Sequence, residues 1–165
     1  MWVEPEAGIR GMSVQSVRQF FEARGLALPI MELEALTPTV ALAAAAHGVE
    51  PGRIAKTLAF RLGDGRAVLL VASGDTRIEN QKFKAAFGKG KMLALGEVET
   101  LTGHPVGGVC PFGLATPMPI FLDQSLKDFD AVLPAAGSVN SAVRIGVALL
   151  AELTQGVWVD VCQRP

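Results

Sequence analysis

Two apolar, β-prone runs, 56–62 and 66–73, flank Gly63-Asp64-Gly65, and no other feature constrains the fold of this chain as strongly. Runs of that length read as strands, and a short glycine-containing turn folds one back on the other as an antiparallel hairpin. The rest must be arranged around this pair. Ser13 reads as the N-cap of a helix carrying Val14, Val17, Phe20 and Phe21 at helical spacing and ending at Gly25. Residues 26–33 have β character, and Pro29 favours an edge position. Thr39 caps an alanine-rich helix, 40–46, closed by Gly48, and Pro51 opens a short turn. Further helices are predicted at 80–87, 96–101 and 147–153, and further strands at 92–95, 118–123, 131–135, 141–145 and 157–161. Hairpin-like pairs mixed with short helices predict an α+β fold with a mixed or antiparallel sheet. Neither a G-x-G-x-x-G nor a Walker A sequence is present.

With half of its 165 residues hydrophobic, the chain can bury one sizeable core. A single domain over 12–165 is expected, behind an N-terminal extension over 1–11. That extension holds Glu4 and Glu6 and lacks the apolar segment of a signal peptide. The balance of 15 basic against 16 acidic residues argues against a general nucleic-acid binder. Locally, however, four of the six lysines (Lys82, Lys84, Lys89 and Lys91) fall within ten residues. They form either a solvated helix and loop or a patch for a phosphate backbone. Cys110 and Cys162 stand far apart without CxxC spacing, which argues against a disulfide framework or a metal site. A reduced, cytoplasmic setting is expected, with no metal and no other cofactor. No apolar run approaches the roughly 20 residues needed to cross a membrane.

The segment Gly107-Gly108-Val109-Cys110-Pro111-Phe112-Gly113 is expensive in backbone entropy and needs a reason to exist. Its N–H groups can form a fixed binding surface for an oxygen-rich or amino-acid-like ligand. Lys56, at the mouth of an apolar run, can aim a positive charge at a phosphate or a developing oxyanion. Cys110 with His104 invites a nucleophile–base reading, yet a small buried thiol is the commoner outcome in a tight loop. His47, in the last turn of its helix, suits a capping role. Asp123, Ser73 and the turn Gly137-Ser138 either bond neighbouring backbone or line a pocket.

In combination these stretches are more specific. The segments 39–48, Gly52-Arg53-Ile54-Ala55-Lys56-Thr57-Leu58-Ala59-Phe60, Glu97-Val98 with Leu101-Thr102-Gly103, the 107–113 loop, Ile120-Phe121-Leu122-Asp123 and Gly137-Ser138 occur in that order. Together they resemble the YbaK/EbsC family, small aminoacyl-tRNA deacylases related to the editing domain of bacterial prolyl-tRNA synthetases. The resemblance covers 13–161. It implies an α+β fold whose mixed, partly barrel-like sheet is flanked by short helices. It also implies a trans-editing hydrolase acting on the 3′ CCA end of a mischarged tRNA, often tRNA for proline, and sometimes beside a prolyl-tRNA synthetase. By position, Lys56 matches the family lysine, and Gly107 with Pro111 the G-x-x-x-P loop; Gly108 and Gly113 lie in the same loop. Thr39, Ser73, Asp123, Gly137 and Ser138 fall where the family lines its pocket. Cys110 stands where many relatives carry proline, and Leu114 where many carry histidine.

An aminoacyl ester is already activated, so loop N–H groups and a lysine suffice with either a positioned water or a group on the substrate itself as nucleophile. Each oxyanion donor typically contributes about 2.7–4 kcal/mol. Small amino acids such as alanine, serine or cysteine are the expected targets, because a separate pocket can exclude the larger correct one. A catalytically inactive module that binds tRNA or an aminoacyl ligand is the alternative, and a cysteine hydrolase using Cys110 a third reading.

Overall fold

The computed structural model describes residues 5–165, with side chains from Ser13 onward. Helix α1 (Pro5–Glu22) buries Val14, Val17 and Phe21. Ser13 therefore lies inside this helix and is not its cap; residues 1–4 lie outside the described residues. The chain continues through strand β1 (Ile30–Glu32), helix α2 (Val40–His47), a 3-10 turn (Pro51–Arg53), and strands β2 (Ile54–Leu62), β3 (Ala67–Ser73) and β4 (Arg77–Ile78). Helix α3 (Asn80–Phe87), strand β5 (Gly90–Met92) and helix α4 (Leu95–Thr102) lead into the glycine-rich segment. Then come strand β6 (Ile120–Asp123), a 3-10 turn (Gln124–Asp128), strands β7 (Ala131–Pro134), β8 (Ser141–Val143) and β9 (Ile145–Gly146), helix α5 (Val147–Thr154), and strands β10 (Val157–Val159) and β11 (Cys162–Gln163).

Local chemistry sets many of these boundaries. Thr39 Oγ1 accepts from the Leu42 N–H at 3.2 Å, and Gly48 ends α2 in the left-handed conformation, φ 67°. The Gly63-Asp64-Gly65 turn closes with Gly65 N–H on the Leu62 carbonyl and Leu62 N–H on the Arg66 carbonyl, both 2.9 Å. Three expected strands are corrected. The one over 92–95 ends at Met92, because Leu95 already opens α4; the one over 141–145 divides into β8 and β9; the one over 157–161 stops at Val159.

The main sheet has strand order β10-β6-β3-β2-β7-β9 and curls as a half-barrel flanked by helices, the expected α+β architecture. The pairs β2–β3 and β7–β9 are antiparallel; β3–β6, β6–β10 and β2–β7 are parallel. Side chains alternate between the two faces of β2. Ala55 and Ala59 join clusters with Phe21, Phe112 and Leu150, and with Leu93 and Val98, whereas Phe60 and Leu62 pack against Phe83 of α3. On the outer edge of β2, β7 covers only Ile54 and Ala55, and β5 covers only Phe60 to Leu62. Between them the sheet is open.

Candidate active site

The opening holds a largely apolar cavity of about 320 Å³. Val40 and Ala43 of α2, the open edge of β2, Met92 and Leu95, and Val106, Gly107 and Val109 surround it. Of the residues expected from sequence, Thr39, Lys56 and Gly107 all line it. Lys56 Nζ donates to the carbonyls of Gly74, at 3.4 Å, and of Thr76. Burial pushes its pKa below the ordinary lysine value, partly opposed by the thiol of Cys162 and the carboxylates of Asp75 and Asp123. Two carbonyls on a half-buried ammonium leave one N–H of three for a ligand.

The glycine-rich loop divides into two halves. Gly107 and Val109 line the cavity, and among the described residues neither N–H has an acceptor. The Gly108 N–H is occupied, bonded to the Pro105 carbonyl at 2.8 Å. Cys110, Pro111 and Phe112 are buried on the other side. A Cβ on Gly108 would stand 2.6 Å from the Ser138 carbonyl carbon, and one on Gly113, at φ 60°, 2.6 Å from the Ser16 carbonyl oxygen of α1. These two glycines thus admit neighbouring protein backbone, not a ligand.

His104 fastens the buried half. Its Nε2 lies 2.7 Å from the Phe112 carbonyl, which can only accept, so Nε2 carries the proton; Nδ1 accepts from Ser13 Oγ at 2.5 Å. Burial lowers the His104 pKa, and the Phe112 carbonyl partly offsets this. The Cys110 sulfur is 3.6 Å from His104 Nε2, but that nitrogen already donates to Phe112. Burial raises the Cys110 thiol to about 12. A protonated thiol with no base is inert, so the nucleophile reading of Cys110 has no support in the geometry.

Ser73 and Asp123 do not reach the cavity, because both are spent on internal turns. Ser73 Oγ donates to the Gly52 carbonyl at 2.5 Å, and Asp123 accepts from the N–H groups of Ser125, Val161 and Cys162 at 2.9, 2.9 and 3.2 Å. Ser138 Oγ donates to Asn140 at 2.7 Å, beside a second, shallower depression, and Gly137 N–H bonds the Gly108 carbonyl at 3.1 Å. Gly137 and Ser138 therefore brace the glycine loop from behind. Among the described residues, no three His, Cys, Asp or Glu side chains group as a metal site would require.

A family model described as the aminoacyl-tRNA editing domain matches residues 34–153. The chain belongs to the YbaK/EbsC family. Bacillus subtilis YwhH, a protein of uncharacterized function, is 45% identical over 92% of this chain and 98% of its own. Enterococcus faecalis EbsC, a proposed Cys-tRNA(Pro)/Cys-tRNA(Cys) deacylase, is 28% identical over 69% of this chain and 71% of its own. Among solved structures, a proposed trans-editing enzyme for prolyl-tRNA synthetase superposes with a TM-score of 0.83 at 33% identity, covering 98% of this chain and 99% of that one. The hypothetical protein APE2540 gives 0.83 at 33% identity, covering 90% and 99%. As a member of this family the chain is an aminoacyl-tRNA hydrolase.

Lys84, Lys89 and Lys91 are exposed and make no ion pair among the described residues, while Lys82 is tied to Asp160 at 3.0 Å. Lys91 is paired in register with Arg61 on β5 and β2, beside Met92 at the cavity mouth. Sequence reasoning missed the apolar wall made by Val40, Ala43, Ile54, Met92, Leu95 and Val106. Its one local signal is exposure: Met92, Leu95 and Val106 remain 56%, 68% and 42% accessible, more than large apolar side chains usually do. Leu114 packs against the Ala59, Leu69, Leu93 and Val98 cluster and does not line the cavity.

Proposed function

We propose that this protein is a trans-editing deacylase that removes a small wrong amino acid, alanine, serine or cysteine, from tRNA for proline. The observation that carries the reading is that Lys56, Gly107 and Val109 all line one apolar cavity within an editing fold, with the N–H groups of Gly107 and Val109 unbonded among the described residues. The aminoacyl group would occupy the cavity, and Lys56 would hold the terminal phosphate or the developing oxyanion. Water would attack the ester carbonyl, the N–H groups would stabilise the tetrahedral oxyanion, and the C–O bond to the ribose would break as that oxygen takes up a proton. The products are the free amino acid and uncharged tRNA. Lys84, Lys89 and Lys91 would meet the backbone of the acceptor end. The free thiols of Cys110 and Cys162 accord with a reduced, cytoplasmic setting, and a prolyl-tRNA synthetase would be the natural neighbour.

Discrimination would be steric. A pocket gains only about 1–3 kcal/mol per methylene, so excluding the larger proline is more effective than preferring a smaller residue. Hydrolysis of a panel of tRNAs charged with alanine, serine, cysteine and proline tests the reading. Release of small amino acids and not proline is expected; tRNA binding with no release from any member would favour the inactive module.

A further inference from the structure

Thr57 lies where the outer edge of β2 has no strand beside it. β7 ends its pairing at Ala55, β5 begins at Phe60, and the Leu93 N–H reaches only the Ala59 carbonyl. In an antiparallel ladder, the backbone groups of successive residues face alternate neighbours. Leu62 N–H bonds across the hairpin to the Arg66 carbonyl, so even-numbered residues face β3 and odd-numbered ones face the outer edge. The N–H and C=O of Thr57 therefore open onto the cavity that Thr57 lines.

The side chain supplies a second, independent observation. Thr57 Oγ1 is buried and, among the described residues, has no hydrogen-bond partner. Other buried hydroxyls, those of Ser13, Ser73, Thr76, Thr102, Ser138 and Ser141, are all bonded. Valine would fill nearly the same volume, suits a strand equally well and carries no polar atom to desolvate. An unsatisfied buried hydroxyl in a native fold calls for a partner that arrives from outside.

Building on the deacylase reading, we infer that the open edge of β2 at Thr57 recognises the amino-acid part of the ester, with the Thr57 N–H, C=O and Oγ1 as substrate contacts. An α-aminoacyl group brings an ammonium that only donates and carbonyl oxygens that only accept. A bare strand edge offers the complementary acceptor and donor side by side. Rotation about χ1 carries Oγ1 to another staggered position on Cβ, so the hydroxyl can turn toward a ligand in the cavity without backbone movement.

The test compares Thr57→Val and Thr57→Ser with the wild type, by Tm and by kcat/KM on the misacylated tRNA that the wild type hydrolyses best. Thr57→Val is expected to keep or raise Tm while kcat/KM falls about tenfold or more, and Thr57→Ser to stay within about threefold of the wild type. A lowered Tm for Thr57→Val would mean the hydroxyl has a partner in the free protein, and overturns the assignment. Unchanged kcat/KM for Thr57→Val overturns it too. In both cases an active wild type leaves the deacylase reading standing; a wild type inert on every charged tRNA removes that reading and this assignment together.

Discussion

The two halves of the glycine loop differ in what their backbone touches. Val106, Gly107 and Val109 border the cavity and keep two N–H groups unbonded, whereas Cys110 to Gly113 is packed into the core, with Cys110 and Phe112 fully buried. One motif thus combines a binding surface with its anchor. The anchor is built from long-range contacts: Phe112 stacks with Phe20 and Phe21 at 5.7 and 5.0 Å, its carbonyl holds His104, and Gly113 backs onto Ser16. The residue that looks most reactive, Cys110, sits in the anchor.

Substitutions in the two halves should therefore separate stability from activity. The largest effect is expected for Gly113→Ala, where an already positive φ combines with a Cβ 2.6 Å from a carbonyl oxygen. It should destabilise by about 3 kcal/mol, read by denaturant unfolding. On the cavity side, Ala43→Phe fills the space from α2 and should reduce kcat/KM about 100-fold, near 2.7 kcal/mol, with little change in the unfolding midpoint. The pH profile follows from Lys56. Burial lowers its pKa, so the ammonium is lost at a lower pH than that of an ordinary lysine, and activity should fall on the alkaline side before such a lysine would titrate. Lys56→Arg, permanently charged, should remove that limb from the profile after correction for spontaneous ester hydrolysis. The smallest effect is expected from Lys84→Ala, Lys89→Ala or Lys91→Ala. Each should weaken tRNA binding modestly and lower the salt slope by about 0.7 to 0.9 if it meets one phosphate.

What sequence reasoning reached was local. The hairpin, the caps of α2 and the span of α3 follow from turn and cap residues a few positions apart. Ser13 was misread because a serine before an apolar stripe has the same appearance whether it caps a helix or, from inside it, bonds His104 ninety-one residues away. The ribbon of β4 with β11 is two residues long on each side and carries no periodic signal. At the site, Lys56, Thr39 and Gly107 were legible, but the cavity itself was not. It arises where β7 stops and β5 has not begun, a matter of pairing between distant segments. Ser73 and Asp123 were expected at the site from the family resemblance, whereas here both satisfy backbone groups of buried turns, the other role their residue types allow.

The division of labour between cavity and anchor rests on one contrast. It is measured by single-turnover hydrolysis of alanine-charged tRNA for proline, with Lys56→Ala and Cys110→Ala run side by side and folding checked by circular dichroism. A loss of about 1000-fold is expected for Lys56→Ala, near 4 kcal/mol of transition-state stabilisation, and a rate within about threefold of the wild type for Cys110→Ala. A folded Cys110→Ala variant without activity, or a Lys56→Ala variant at the wild-type rate, would contradict the account.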